Sequence, residues 1–267
     1  MIFKKIIFTL IFFVLFSCSS NISKNSKNST DEEKNAEELY ILAMDKFNSN
    51  QLDDAINDFE KIEKLYPLSN EAIQSQIMVG FIDYGRLNYE DAIFKFDRII
   101  KKYPSLKNID YVYYIKALSF YEQITHEGLD GKNNYLALEH LNQVIIRFPE
   151  SKYAKDSRQK IVLVKSNIAA KHMNIGRFYQ SKNKFTAALN RFKIVINDFS
   201  NTKFTPEALH RTVEIYIALD LKEEATKTAS VLGYNYPKSK WYKLSYDLIT
   251  EKNSNKNFLN KFKIFNK

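Results

Sequence analysis

The sequence predicts an all-α fold, an α-solenoid of five helix-turn-helix repeats. The first observation is a frame that recurs five times: Ala55, Phe59 and Tyr66-Pro67; Ala92, Phe96 and Tyr103-Pro104; Ala137, Leu141 and Phe148-Pro149; Ala188, Phe192 and Phe199-Ser200; Ala225, Ala229 and Tyr236-Pro237. From alanine to the proline position is 12 residues in every copy, and the copies lie 37, 45, 51 and 37 residues apart. The second observation is composition. Among 267 residues, 45% are hydrophobic, yet there are only 6 Gly and 5 Pro, too few for the many tight turns of a sheet-rich fold. The third is periodicity: apolar residues recur at helical spacing, and strict alternation is nowhere sustained.

Each copy reads as a helix with a stop. Residues at i and i+4 share a face, and proline cannot continue a helix. The alanine lets a neighbouring helix approach closely, and the aromatic fills the next gap. Twelve residues before Ala55, Ala92 and Ala188 stand Ala43, Gly80 and Gly176, all small. With Tyr179 three beyond Gly176, the pattern resembles the tetratricopeptide (TPR) frame, in which a helix with a small residue precedes an A-x-x-x-F helix ending at proline.

Residues 1–17 read as a lipoprotein signal peptide. Lys4 and Lys5 precede an 11-residue apolar run, Ile6 to Phe16, too short for a membrane span. The run ends Leu15-Phe16-Ser17-Cys18, which resembles a bacterial lipobox, although Phe16 stands where a small residue is usual. Cys18, the sole cysteine, is the expected lipidation site, because the diacylglyceryl group is attached through sulfur. Ser19, not Asp, follows it, which favours the outer membrane. Residues 18–31 are the lipidated cysteine and a Ser/Asn/Lys-rich flexible tether.

Residues 32–108 hold repeats 1 and 2. The first begins near Asp31-Glu32-Glu33, breaks at Asn48-Ser49-Asn50 and resumes from Leu52 to Tyr66; the second pairs Asn70–Tyr84 with Tyr89–Tyr103. Residues 109–151 are repeat 3, with Tyr111, Tyr113, Tyr114, Phe120 and Tyr121, then a loop at Gly128 and Gly131 before Tyr135–Phe148. Residues 152–243 are repeats 4 and 5. Repeat 4 opens on an uninterrupted helix from Tyr153 to Ser181, about 40 Å long at 1.5 Å per residue. Repeat 5 opens Thr205-Pro206-Glu207, read as an N-cap with proline at N1. Residues 244–267 are a basic C-terminal tail in which Phe258, Phe262 and Phe265 share a helical face; capping of the last repeat or a frayed end is favoured over contact with anionic lipid.

Local phrases make the resemblance specific: AINDFEKIEKLYPLSNEAIQSQ, NIDYVYYIKALSFYEQ, RFPESKYAKDSRQKI, IGRFYQSKNKFTAALNRF and NYPKSKWY. Together with the lipobox they resemble the BamD family, the TPR lipoproteins of the outer-membrane β-barrel assembly (BAM) machinery. Gly128-Leu129-Asp130 departs from the Arg-Asp common in that family. The resemblance implies a non-catalytic scaffold, lipid-anchored on the periplasmic side of the outer membrane. Its partners would be the POTRA domains of BamA, other BAM subunits and unfolded outer-membrane proteins. On TPR geometry the first helices line a groove, which puts Tyr40, Met44, Phe47, Ile77, Phe81 and Tyr84 where a client's extended apolar segment would lie. The same side chains also suit the core between repeats. Arg191, in Ala188-Leu189-Asn190-Arg191-Phe192, matches an arginine that the family turns toward BamA; a solvated charge is the other reading.

Other functions find no support in the residues. His126, His140, His172 and His210 are scattered, with no H-E-x-x-H, P-loop, G-x-S-x-G or dinucleotide fingerprint, so neither metal nor cofactor is expected. The net charge of +9 raises nucleic acid as a partner, but lysines are mixed with acidic residues, and a secretory leader argues against it. The competing function is another periplasmic TPR lipoprotein that tethers cell-envelope machinery. A glycan-capturing lipoprotein would show tryptophans on long loops, and Trp241 is the single one.

Overall fold

The computed structural model describes residues 34–124 and 131–253. The signal peptide, Cys18, the tether, the Gly128-Leu129-Asp130 departure, His126 and the aromatic face of the tail from Phe258 onward lie outside them. Among the described residues the chain forms eleven α-helices and no strand. They are α1 (Ala36–Asn48), α2 (Leu52–Leu65), α3 (Asn70–Gly85), α4 (Tyr89–Lys102), α5 (Ile109–Tyr121), α6 (Lys132–Arg147), α7 (Lys152–Ser181), α8 (Phe185–Asp198), α9 (Thr205–Ala218), α10 (Lys222–Asn235) and α11 (Lys240–Asn253).

Helices α1 to α10 form five consecutive TPR-like hairpins. The first helices touch along the array, α1 on α3, α3 on α5 and α5 on α7, making one inner layer. The 30-residue α7 packs on both α6 and α8, so its N-terminal half closes repeat 3 and its C-terminal half opens repeat 4. Helix α11 packs on α9 and α10 and crosses residue 243, so residues 244–253 belong to the fold rather than to a separate tail.

The turns inside hairpins 1, 2, 4 and 5 share one device. Asn50, Leu87, Asn183 and Asp220 all adopt positive φ, between 57° and 65°, each five residues before its frame alanine. Each is followed by an amide that reaches back five residues, for example Gln51 N–H to the Lys46 carbonyl at 2.9 Å. This is the helix-ending geometry in which a left-handed residue lets the last carbonyls be capped.

The second helices also end alike. Tyr66, Tyr103, Phe148 and Tyr236 leave the helix at φ between −129° and −136° with ψ of 54–60°, out of the helical region that the residue before a proline avoids. Phe199 does the same at φ −128° although Ser200 follows it, so packing sets this bend even without proline. Three residues after the aromatic, Ser69 and Ser151 cap the next helix through their hydroxyls. Helix α1 starts at Ala36 rather than at the acidic run, because Asn35 and Glu38 form a capping box there. Thr205 is not an N-cap: it lies inside α9, and its hydroxyl donates to the Phe199 carbonyl at 3.1 Å.

The frame residues are the core. Ala55, Ala92, Ala137, Ala188 and Ala225 are fully buried, as are Phe59, Phe96, Leu141 and Phe192. Each such large side chain contributes about 2–3 kcal/mol of transfer free energy. Small residues make room for them: a Cβ on Gly80 would sit 2.8 Å from Cε1 of Phe96. The buried clusters follow one another along the array and end where α11 lays Leu248 and Ile249 on Val213 and Ile217.

Candidate functional site

The inner layer carries a row of aromatic rings. Phe47 on α1 lies 6.1 Å from Phe81 on α3, and Phe81 stacks on Tyr84 at 6.4 Å. Tyr84 meets the edge of Tyr89 at 5.8 Å. On the next helices Tyr114 stacks on Tyr153 at 4.9 Å, with Tyr111 5.5 Å from the same ring. The two groups join at Tyr84, whose phenol lies close enough to Tyr111 and Tyr114 to push both of theirs up. Burial is the larger cause in every case, and it raises Tyr84 and Tyr111 to about 12. These phenols stay protonated, and while Tyr114 donates to Asp156, Tyr84 and Tyr111 keep an O–H at the rim of an apolar strip.

Carboxylates flank the strip. Glu122 lies near Tyr84 and Tyr89, and Asp156 accepts a hydrogen bond from the Tyr114 hydroxyl. Such a row suits an extended segment rich in aromatic and aliphatic side chains, with phenol O–H groups for its backbone carbonyls.

The expected groove residues divide. Phe47, Phe81 and Tyr84 form the strip, partly buried. Tyr40 leans its ring on Phe59 at 5.6 Å, and Met44 packs on the cluster of repeat 1. Ile77 is 5% exposed and belongs to the core between α3, α4 and α5, so it offers no groove surface. The same position, three before the glycine of a first helix, is wholly buried at Met173 before Gly176, whereas three before an alanine Tyr40 and Tyr114 stay partly exposed.

Tyr111, Tyr114 and Tyr153 form a further group of rings that the repeat spacing does not point to. Tyr114 stands three before fully buried Ala117, as Tyr40 stands before Ala43. The longer connection in repeat 3 puts Ala117 twenty residues ahead of Ala137 rather than twelve, which hides the correspondence.

Arg191 lies on α8, one residue from buried Phe192, and is partly buried. It makes no hydrogen bond or ion pair with another described residue. Its charge instead acts on Tyr135 of α6 and His172 of α7, and Asp198 opposes it at both.

A second polar network joins repeats 4 and 5. Arg177 Nη1 is 2.8 Å from Glu207 Oε1, and Gln180 donates to Glu214 at 2.9 Å. His210 pairs through Nδ1 with Ser245 Oγ at 2.8 Å and through Nε2 with Glu214 at 3.3 Å. Burial alone would raise the Glu214 carboxyl, but the His210 hydrogen bond and the Arg211 charge hold it below its ordinary value. Ser, His and Glu are connected as in a hydrolase relay, yet Ser245 is 0% exposed, so no substrate reaches its hydroxyl. The network is a clamp that holds α11 on α9. Among the described residues no cluster of His, Cys, Asp and Glu could hold a metal ion, and no helix is long and apolar enough to cross a membrane.

Comparison with known proteins assigns the family. The family model YfiO, outer membrane lipoprotein, matches residues 32–232. The outer membrane protein assembly factor BamD of Rickettsia prowazekii is 39% identical, covering 85% of this chain and 90% of its own. BamD of Caulobacter vibrioides is 37% identical, over 82% of this chain and 72% of its own. BamD of Neisseria gonorrhoeae is 28% identical, over 88% and 92%. A helical array of TPR-like hairpins, an aromatic inner layer and these relatives agree: the chain belongs to the YfiO family of outer membrane lipoproteins, the family of the BamD assembly factors.

Proposed function

We propose that this protein is a non-catalytic scaffold of the β-barrel assembly machinery, anchored by lipid at Cys18 on the periplasmic side of the outer membrane. One face receives unfolded outer-membrane proteins and another docks on the POTRA domains of BamA. The observation that carries the reading is the aromatic face made by two groups of rings, Phe47, Phe81 and Tyr84 on α1 and α3 and Tyr111, Tyr114 and Tyr153 on α5 and α7. It crosses four consecutive first helices, a length that suits an extended chain rather than a small molecule.

Arg191 supports the docking half. An arginine with no carboxylate partner among the described residues is a ready acceptor for one supplied by another protein. The test is binding of the full chain, in detergent, to the POTRA domains of BamA from the same organism, with wild type and Arg191→Glu side by side. Charge reversal should weaken binding about tenfold or more. Unchanged binding would remove Arg191 from the interface, and no binding by folded wild type would favour a scaffold of other envelope machinery.

A further inference from the structure

The surroundings of Arg191 hold a pair of residues that neither the core nor the aromatic strip uses. Tyr135 on α6 is 47% exposed, a large ring in solvent. Its hydroxyl nevertheless lies 3.0 Å from Nε2 of His172 on α7. His172 is 7% exposed, its ring is stacked over Phe199 at 6.3 Å, and its Nδ1 has no hydrogen-bond partner among the described residues. An unmatched buried nitrogen destabilises the fold, and an apolar side chain would fill the same place without it. What His172 provides is a hydrogen bond that fixes the Tyr135 ring.

Resting on the reading of Arg191 as a docking charge, we propose that Tyr135, held by His172, forms with Arg191 one composite recognition site for a partner segment that presents a carboxylate beside an apolar side chain. Tyr135 supplies the apolar contact, Arg191 the ion pair, and His172 is a positioning residue. The charges fit an anionic partner. Of the described charges that act on His172, Lys171 from α7 and Arg191 from α8 are positive and Asp198 is negative. Burial, with the same two cations, holds the His172 ring below the ordinary histidine value. A tyrosine with a fixed ring gives contact area without loss of side-chain freedom on binding, which is why such residues dominate interfaces.

The test uses the same POTRA-domain titration with full-length variants, each melted to check the fold. Tyr135→Ala should weaken binding about tenfold. Tyr135→Phe, which keeps the ring and loses the hydroxyl, and His172→Gln should each weaken it about threefold, and the double variant should be no weaker than either alone. That non-additivity is what a positioning pair produces and a merely structural histidine does not. If Arg191→Glu weakens binding while Tyr135→Ala and Tyr135→Phe bind like wild type, the composite site is wrong and the docking arginine stands. If Arg191→Glu also binds like wild type, or wild type does not bind, the docking reading falls and this inference with it.

Discussion

A Cβ placed on Gly176 would run into the ring of Phe192, sixteen residues on. The same relation holds between Gly80 and Phe96. Each of these two hairpins is closed by an aromatic ring packed directly on a residue with no side chain. Gly176→Ala and Gly80→Ala are therefore expected to destabilise the protein by about 1–3 kcal/mol, despite the better helix propensity of alanine. Gly85 ends α3 with nothing within 4 Å of its Cβ position, so Gly85→Ala should be neutral or gain about 0.5 kcal/mol. Urea melts of the three variants decide it, and equal stabilities would show that the rings can give way.

Leu87 is the odd member of the left-handed turn residues. At φ 65° it occupies a conformation that asparagine accepts and a γ-branched side chain resists, and it is 68% exposed, so its side chain gains little in return. Leu87→Asn, which copies Asn50 and Asn183, should raise stability by about 0.5–1 kcal/mol. A lower melting temperature would mean that Leu87 holds a contact worth more than its strain.

Stability should fall on mild acidification. His140 and His172 are both held below the ordinary histidine value of 6.5, in each case chiefly by burial, with Lys116 adding to it at His140 and Arg191 at His172. The unfolded chain takes up protons near pH 6.5, the folded chain only lower. Between those values the unfolded state binds more protons, so stability drops as pH falls through that window. Glu214, held below 4.5, adds a loss only further down. Melting temperature measured from pH 8 to 5 should decline below about 6.5, and the His140→Gln, His172→Gln double variant should flatten that decline. An unchanged slope would contradict the assignment.

The C-terminal clamp has its own signature. Ser245→Ala leaves the buried Nδ1 of His210 without its partner at 2.8 Å and should cost about 1–3 kcal/mol. Because α11 touches only α9 and α10 among its main contacts, limited proteolysis should release it first in that variant. Cleavage spread evenly over the repeats would argue against a local clamp.

The array was legible in the sequence because its signal is redundant. Five alanines in register with a stop twelve residues on fix both the helix and its end, and a lost proline at Ser200 does not erase the pattern. The groove was only half legible. Phe47, Phe81 and Tyr84 follow from their distance to Ala43 and Gly80, but place on the helix does not by itself separate strip from core: Ile77 and Tyr114 both stand three before their small residue, and only Ile77 is sealed in by the neighbouring helices. The cap on α9 was misread because Thr205 bonds back to Phe199 across the turn, a contact that depends on how two hairpins meet. The tie between Tyr135 and His172 spans 37 residues and two helices, with no local spacing to announce it.

The most direct test of the central claim is photo-crosslinking from the inner layer in cells that are producing an outer-membrane β-barrel protein. A photoreactive residue is placed at Tyr84, in the middle of the strip, and for comparison at Leu68, which is 98% exposed on the turn between α2 and α3. An adduct with the unfolded client from position 84 and none from 68 is the expected result. No adduct from 84, or equal adducts from both, with the protein folded and at the outer membrane, would contradict a client-receiving aromatic face.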